Sequence, residues 1–279
     1  FILFILFNIS GVRLFNSLNL SMTIISNGGF LPTNSLSNII STNFQKIIFI
    51  LSLIITMINF YFVFNIFDKK TLLRDHKEDF YLLLLSFILI LLIYFNNNSG
   101  LDNAINTISS LSNSGLTLIQ SENNLSLYFL FITIIGGSLI SNTSGIKLTR
   151  FYILLKTTSY EIMKLISPNS ILNKTILGSE RKITDENVKI SFLIFISFFL
   201  SLFILSSFLV LDNIGFEKSF KLSILTLTNT VNSELFNMAN LNFANLLTTS
   251  KISLIIFMII GKIELISVFL IFKKILFKD

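Results

Sequence analysis

GGSLISNTSGIKLTR, residues 136–150, follows an apolar run and combines glycines, hydroxyls and an amide with a lysine and an arginine near its end. Backbone groups that leave a helix at membrane depth must bond to protein or to water in a cavity, because lipid offers them no partner. We therefore expect this stretch to line a pathway through a membrane. The alternative is an ordinary cytoplasmic loop after a helix that stops at Gly136.

The composition predicts a polytopic helical membrane protein, because 52% of the 279 residues are hydrophobic and several apolar runs approach the length of a bilayer crossing. There is no cysteine, which excludes disulfides and thiolate metal sites. The one histidine, His76, cannot build the paired ligands of a membrane haem protein, and the charged run around it predicts a solvated loop residue. No catalytic motif is present, so we do not expect an enzyme.

Longer apolar runs predict membrane spans at residues 44–67, 80–95, 125–140, 188–211 and 252–277, with a shorter run at 1–9. Lysines and arginines gather at 69–77, 147–189 and 273–278. Because basic loops remain in the cytoplasm, these regions are predicted to be cytoplasmic, and the net charge of +6 reflects topology rather than nucleic-acid binding. Since the sequence begins inside an apolar run without Met, we interpret it as a piece of a longer protein.

Three shorter segments lie between the spans, at 14–26, 102–112 and 216–228. A helix of about eleven residues rises roughly 16 Å, about half of a hydrocarbon core, so each segment suits a half-helix that enters the membrane and turns back. Each is followed by a polar turn: Ser26-Asn27-Gly28-Gly29, Ser112-Asn113-Ser114-Gly115 and Asn229-Thr230-Val231-Asn232. Repeated units of this kind form a pore when they surround an axis, because helix C-terminal ends and turn carbonyls attract a cation.

These motifs resemble those of the TrkH/KtrB/HKT-type potassium transporter superfamily. SNGGF at 26–30 and SNSGL at 112–116 resemble the filters of the second and third repeats, usually S-T-G-G-F and T-T-G. The stretch 136–150 resembles the motif G-G-x-x-G-S-T-x-G-G-I-K-x-x-R of a broken span, and MIIGKIEL at 258–265 resembles M-x-x-G-R-x-E-x of the last span. The order and spacing of the motifs agree as well.

The resemblance implies an all-α membrane protein with tandem span–pore-helix–span repeats around a pseudo-fourfold ion pore. Residues 1–67 would be the second repeat, 68–79 a cytoplasmic loop, 80–167 the third repeat with its broken second span, 168–187 a cytoplasmic linker and 188–279 the fourth repeat. The first repeat would be missing. The location implied is the inner (plasma) membrane, crossed several times.

The resemblance also implies the site residues and the transported ion, K⁺, with no organic cofactor. The filter would comprise Ser26, Asn27, Gly28, Gly29, Asn113, Ser114, Gly115, Asn229, Thr230, Val231 and Asn232. The gate would comprise Gly136, Gly137, Ser141, Asn142, Thr143, Ser144, Gly145, Lys147 and Lys262. The implied partners are a second copy of the chain, a cytosolic nucleotide-binding regulatory subunit of the TrkA/KtrA type and the lipid bilayer, without nucleic acid.

The fourth turn departs from the family pattern, because Val231 stands where glycine is usual and a β-branched residue resists positive φ. Three alternatives to a potassium pathway therefore stay open: a less selective Na⁺/K⁺ transporter, a degenerate non-conducting structural subunit, and a secondary transporter with broken helices. The parallel repeats and the scarcity of mid-span acidic residues argue against the last of these.

Lys262 lies inside the last apolar run, where a charge costs about 2.5 to 3.5 kcal/mol and marks a pathway or a pairing. The family has Arg at this position, where it contacts the repeat-three loop and bars the pore. We expect the same role for Lys262. The alternative is a lysine whose ammonium extends to the cytoplasmic surface.

Overall fold

A computed structural model of the protein describes residues 1–33, 35–62, 76–96, 100–118, 125–167, 175–176, 182–230, 236, 238 and 243–263. These residues are mostly helical, as the predicted fold class requires. The helices are α1 (Ile2–Ile9), α2 (Leu14–Ser26), α3 (Asn43–Met57), α4 (Lys77–Asn96), α5 (Gly100–Ser112), α6 (Ser126–Ile134), α7 (Leu148–Ile166), α8 (Asp185–Leu211), α9 (Phe216–Leu227) and α10 (Thr248–Ile263). Two short strands, β1 (Ile135–Gly136) and β2 (Ile146–Lys147), lie between α6 and α7.

The helices form three units of the same design, and each half-helix packs between two neighbours. Helix α2 packs against α1 and α3, α5 against α4 and α6, and α9 against α8 and α10. Further contacts between α3 and α5, and between α6 and α9, join one unit to the next. Each half-helix is therefore packed between the two other helices of its own unit.

Helix α5 is polar in sequence yet almost wholly buried, because its hydroxyls find hydrogen-bond partners within the helix. In α5 every residue from Asn103 to Ser112 is buried. The hydroxyls of Thr107 and Ser110 donate to carbonyl oxygens one turn earlier, at 2.6 Å and 2.8 Å. Such bonds leave few buried polar groups unmatched, so a serine-rich helix can occupy the core.

Helix α3 is shorter than its apolar run predicts. It begins with a capping box, in which Thr42 accepts from the backbone of Gln45 and Gln45 accepts from the backbone of Thr42. It ends at Met57, so the predicted span at 44–67 is wrong as a continuous helix. The reason is competition for its backbone, since the carbonyl of Met57 accepts from Ser138 at 3.0 Å. Residues 63–67 of the predicted span lie outside the described part.

The predicted span at 125–140 is also interrupted. Helix α6 ends at Ile134, and β1 then pairs in parallel with β2, with Ile135 opposite Ile146. The chain between them passes close to the end of α3, because a Cβ on Gly137 would lie 2.5 Å from the carbonyl oxygen of Met57. Only glycine can therefore occupy position 137 at this distance from the end of α3. Residues 136–147 are therefore a non-helical segment inside the helical bundle, and residues 148–150 begin α7.

Apolar side chains cover much of the outer surface, for instance Leu127, Phe131 and Phe203, each more than half exposed. Exposed apolar surface of this extent suits contact with lipid tails. Within the described residues, one helix, Asp185–Leu211, is long and apolar enough to cross a membrane by length and composition, and Asn43–Met57 is a shorter apolar helix.

Candidate pore turns and intramembrane loop

The three turns after the half-helices share one backbone feature. Asn27, Asn113 and Asn229 each adopt a left-handed conformation, with φ of 49°, 58° and 55°. Asparagine tolerates this region better than most residues with a side chain. In each repeat it ends the half-helix and turns the chain aside, so these three positions are equivalent.

This equivalence corrects the alignment of the fourth turn. The fourth turn was predicted to begin at Asn229, but Asn229 matches the second residue of the other two turns. Thr228 therefore corresponds to Ser26 and Ser112 and was missed as a member of the site. Val231 then stands where Gly29 and Gly115 stand, and both Val231 and Asn232 lie outside the described residues.

Glycine occupies a left-handed position two residues after Asn27 and two residues after Asn113. Gly29 and Gly115 have φ of +71° and +68°, whereas the φ of Gly28 lies outside the left-handed region. The prediction that Gly28 supplies the conformation closed to larger residues is therefore wrong, and Gly29 supplies it. A Cβ on Gly29 would lie 2.9 Å from the carbonyl oxygen of Ser114, and one on Gly115 would lie 3.6 Å from Thr230. The three turns thus lie side by side.

The side chains of two of these asparagines join their turns to neighbouring elements by hydrogen bonds. The amide of Asn113 donates to the carbonyls of Thr133 at 3.0 Å and Thr228 at 3.1 Å, which joins the third repeat to the fourth. The amide of Asn229 donates to the carbonyl of Met258 at 3.0 Å and to Ser144 Oγ at 3.2 Å. The buried amide of Asn27 has no partner among the described residues.

The loop between β1 and β2 is organised around a buried ammonium. Lys147 is 4% exposed, and its Nζ donates to the carbonyls of Ser141 at 3.0 Å and Thr143 at 2.7 Å. The Thr143 hydroxyl accepts from the backbone of Gly137 at 2.7 Å. Charge-assisted bonds of this kind fix a loop that has no helix or sheet of its own.

The same loop lies against the ends of two half-helices. Asn142 donates through its amide to the carbonyl of Ile25 at 2.9 Å, near the end of α2. Ser144 accepts from Asn229, just after the end of α9. The predicted gate segment 141–145 therefore extends between the second and fourth repeats, beside the turns.

Lys262 joins all three repeats at one ammonium group. From α10 its Nζ donates to the carbonyl of Ser26 at 3.1 Å and to the carbonyl of Asn142 at 2.7 Å. A cation at the C-terminal end of a helix is favoured by the partial negative charge there. These contacts differ from those of a lysine that extends to the membrane surface.

The start of α4 supplies two further carboxylates near the loop. The side chain of Asp79 pairs with His76 at 2.8 Å, and both side chains are 2% exposed, so the prediction of a solvated His76 is wrong. Glu78 lies beside Thr149 and the backbone of Leu139. Burial raises the pKa of the Glu78 carboxyl, against the lowering effect of Thr149. In the sequence both carboxylates belong to a charged run that precedes the apolar residues from position 80, so their burial could not be predicted.

Comparisons with known proteins agree with this architecture, although no protein-family profile matches the chain. An uncharacterized cation transporter of Methanocaldococcus jannaschii is 28% identical over 98% of the chain, and the Trk system potassium uptake protein TrkG of Escherichia coli is 24% identical over 96%. The crystal structure of the potassium transporter TrkH from Vibrio parahaemolyticus superimposes with a TM-score of 0.81 at 20% identity, over 96% of the chain.

The fold and the three equivalent turns define a helical membrane protein built from repeated units with inserted half-helices. The sequence relatives and the shared fold support the resemblance to the TrkH-type superfamily that the motifs predicted. The chain spans 57% of the length of each of these two sequence relatives and 60% of the TrkH chain.

Proposed function

We propose that the chain forms three of the four repeats of a potassium pathway in the plasma membrane, within a longer protein that takes up K⁺. The observation that carries the proposal is the convergence of three half-helix ends. Gly29 approaches Ser114, and Gly115 approaches Thr230, so carbonyl groups of successive repeats lie next to each other. Adjacent rings of carbonyl oxygen replace the hydration shell of a cation.

The intramembrane loop is proposed to close this pathway. Lys147 holds the loop internally, Lys262 and Asn229 donate to it from neighbouring elements, and its own Asn142 donates to α2. The ammonium of Lys262 also repels cations in a medium of low dielectric constant, so one residue both positions the loop and opposes ion passage. Movement of the loop away from α2 and α9 would open the path.

A second candidate, a less selective Na⁺/K⁺ pathway, is favoured by one observation. In the corrected alignment Val231 occupies the position at which Gly29 and Gly115 have positive φ. Valine is strongly disfavoured in that conformation. The fourth turn would then present its carbonyls differently, which weakens discrimination between ions of different size. A second copy of the chain and a cytosolic nucleotide-binding subunit are proposed as partners on the resemblance alone.

The experiment is a flux measurement on the full-length protein in phosphatidylethanolamine/phosphatidylglycerol vesicles, with K⁺ and Na⁺ compared. We expect K⁺ to be preferred, and Gly115→Ala to lower the K⁺/Na⁺ ratio by roughly tenfold, because strain of about 1 to 2 kcal/mol falls on the filter turn. The control is Gly215→Ala, since no atom lies within 4 Å of a Cβ at Gly215.

Equal K⁺ and Na⁺ flux in the wild-type protein would favour the second candidate. Absence of any cation flux from protein that is correctly inserted would contradict both and support a non-conducting structural subunit. An unchanged ratio in Gly115→Ala would remove the assignment of the turns to a filter.

A further inference from the structure

The intramembrane loop has a second attachment, on the side of the second repeat. The backbone of Ser138 donates to the carbonyl of Met57 at 3.0 Å, and the backbone of Phe60 donates to the carbonyl of Ile140 at 2.9 Å. Two bonds in opposite directions join the chain after α3 to the first half of the loop. The position of residues 138–140 therefore depends on the position of residues 57–60.

Residues 57–60 are in turn held by Asp79. Its Oδ1 accepts from the backbone of Asn59 at 2.9 Å, and its Oδ2 lies 2.8 Å from Nδ1 of His76. The His76 ring also meets the Phe62 ring edge to face, with centroids 5.2 Å apart. Both oxygens of one buried carboxylate are thus engaged, one by the chain after α3 and one by the residue that precedes α4.

The energetics favour a firm attachment. Hydrogen bonds to a charged group are stronger than those between neutral groups, and removal of the acceptor leaves a backbone donor unmatched. Ile58, the residue after α3, has an extended backbone with φ −77° and ψ 155°, so the chain has left the helix where Asn59 N–H donates to Asp79. The carboxylate of Asp79 is the acceptor that the local backbone does not provide.

We propose that Asp79, oriented by His76, is a positioning residue for the intramembrane loop. It fixes the chain after α3, and that chain holds residues 138–140 on the side opposite to Lys262. This inference rests on the proposed gating role of the loop. Lys262 attaches the loop to the ends of the half-helices, whereas Asp79 attaches it to the start of the third repeat.

The test uses the natural absence of cysteine. A reporter cysteine replaces Ile140, whose side chain is 51% exposed and whose backbone makes the bond to Phe60. Its labelling rate by a membrane-impermeant thiol reagent is measured in the full-length protein in the same phospholipid vesicles. We expect Asp79→Ala to raise the rate by roughly tenfold, as the loss of a charge-assisted bond allows. Asp79→Asn should stay within about twofold of wild type, because its Oδ1 still accepts from Asn59.

Two controls separate positioning from general destabilisation. Asp212→Ala removes a carboxylate that also accepts from a backbone amide, that of Leu247 at 2.9 Å, but remote from the loop. It should leave the labelling of residue 140 unchanged. A second reporter, Phe216→Cys at the start of α9, should label at the same rate with and without Asp79→Ala.

The flux assay distinguishes this inference from the function on which it rests. If Asp79→Ala leaves the labelling rate of the cysteine at position 140 unchanged while Lys262→Ala raises K⁺ flux, the positioning role of Asp79 is overturned and the gating role of the loop is supported. If Asp79→Ala raises that labelling rate while neither variant changes K⁺ flux, the positioning role of Asp79 is supported and the gating role of the loop is contradicted. Faster labelling of both reporters would show loss of folding and would overturn the positioning role.

Discussion

Asn27, Asn113 and Asn229 place the three pore turns in one register, which the sequence motifs alone did not do. Each occupies the left-handed region that glycine usually takes, and each follows the last turn of a half-helix. From sequence, the fourth turn was aligned one residue too late, because no glycine marks it. The left-handed backbone of Asn229 identifies it as the residue of the fourth turn that corresponds to Asn27 and Asn113.

At the residue scale the corrected register predicts different results for two neighbouring glycines. Gly29→Ala forces a Cβ into a left-handed residue and to 2.9 Å from the Ser114 carbonyl oxygen, so we expect a large loss of K⁺/Na⁺ discrimination. Gly28→Ala meets the Ser26 hydroxyl at 3.0 Å, and that side chain can rotate. Its effect should be much smaller. Ion flux from vesicles measures both, and equal effects would contradict the register.

At the scale of elements, α2, α5 and α9 were predictable because each is a short apolar–polar segment with a turn signal after it. The prediction 14–26 matches α2, and the other two half-helices agree within two residues at either end. The longer spans were less predictable. Hydropathy continues past Met57, but the helix does not, since Ser138 and Asp79 bond to the backbone at and after its end. Such competition between distant segments leaves no pattern in the local sequence.

The buried His76–Asp79 pair could not be predicted for a related reason. A run of charges normally indicates a solvated loop. Burial of the pair depends on residues 59–62, which follow α3 and pack against the pair. Only the tertiary structure reveals this contact.

The amide of Asn113 ties three elements together and gives a prediction at this scale. Asn113→Ala removes both donors to Thr133 and Thr228, and buried polar groups left unmatched cost about 1 to 3 kcal/mol each. We expect a lower thermal unfolding midpoint and weaker K⁺ selectivity. The control is Asn19→Ala, whose amide donates to an exposed carbonyl of Phe15 at 2.8 Å. A similar loss of stability in both variants would show that the bridge contributes nothing specific.

At the scale of the whole molecule, the basic loops predict which side of the membrane each connection faces. Cysteines introduced at Asp75 and Asn173 should react only from the cytoplasmic side, and those at Asn34, Asn123 and Asn240 only from outside. All five positions lie outside the described residues, so the prediction depends on the charge distribution alone. Labelling of Asp75 from outside would contradict the assignment of residues 1–67 and 80–167 to successive repeats.

The most direct test of the account is K⁺ flux through full-length protein that carries Lys262→Ala. The substitution removes the bonds to Ser26 and Asn142 together with a charge in the pathway, so flux should rise and depend less on any regulatory partner. Lys262→Arg should remain near wild type or close more tightly, because it keeps the charge and adds donors. The control is Lys251→Ala on the same helix, whose Nζ donates to the carbonyl of Ala244 at 2.8 Å. Wild-type flux in Lys262→Ala, at matched expression, would contradict the claim that this lysine and the intramembrane loop close the pathway.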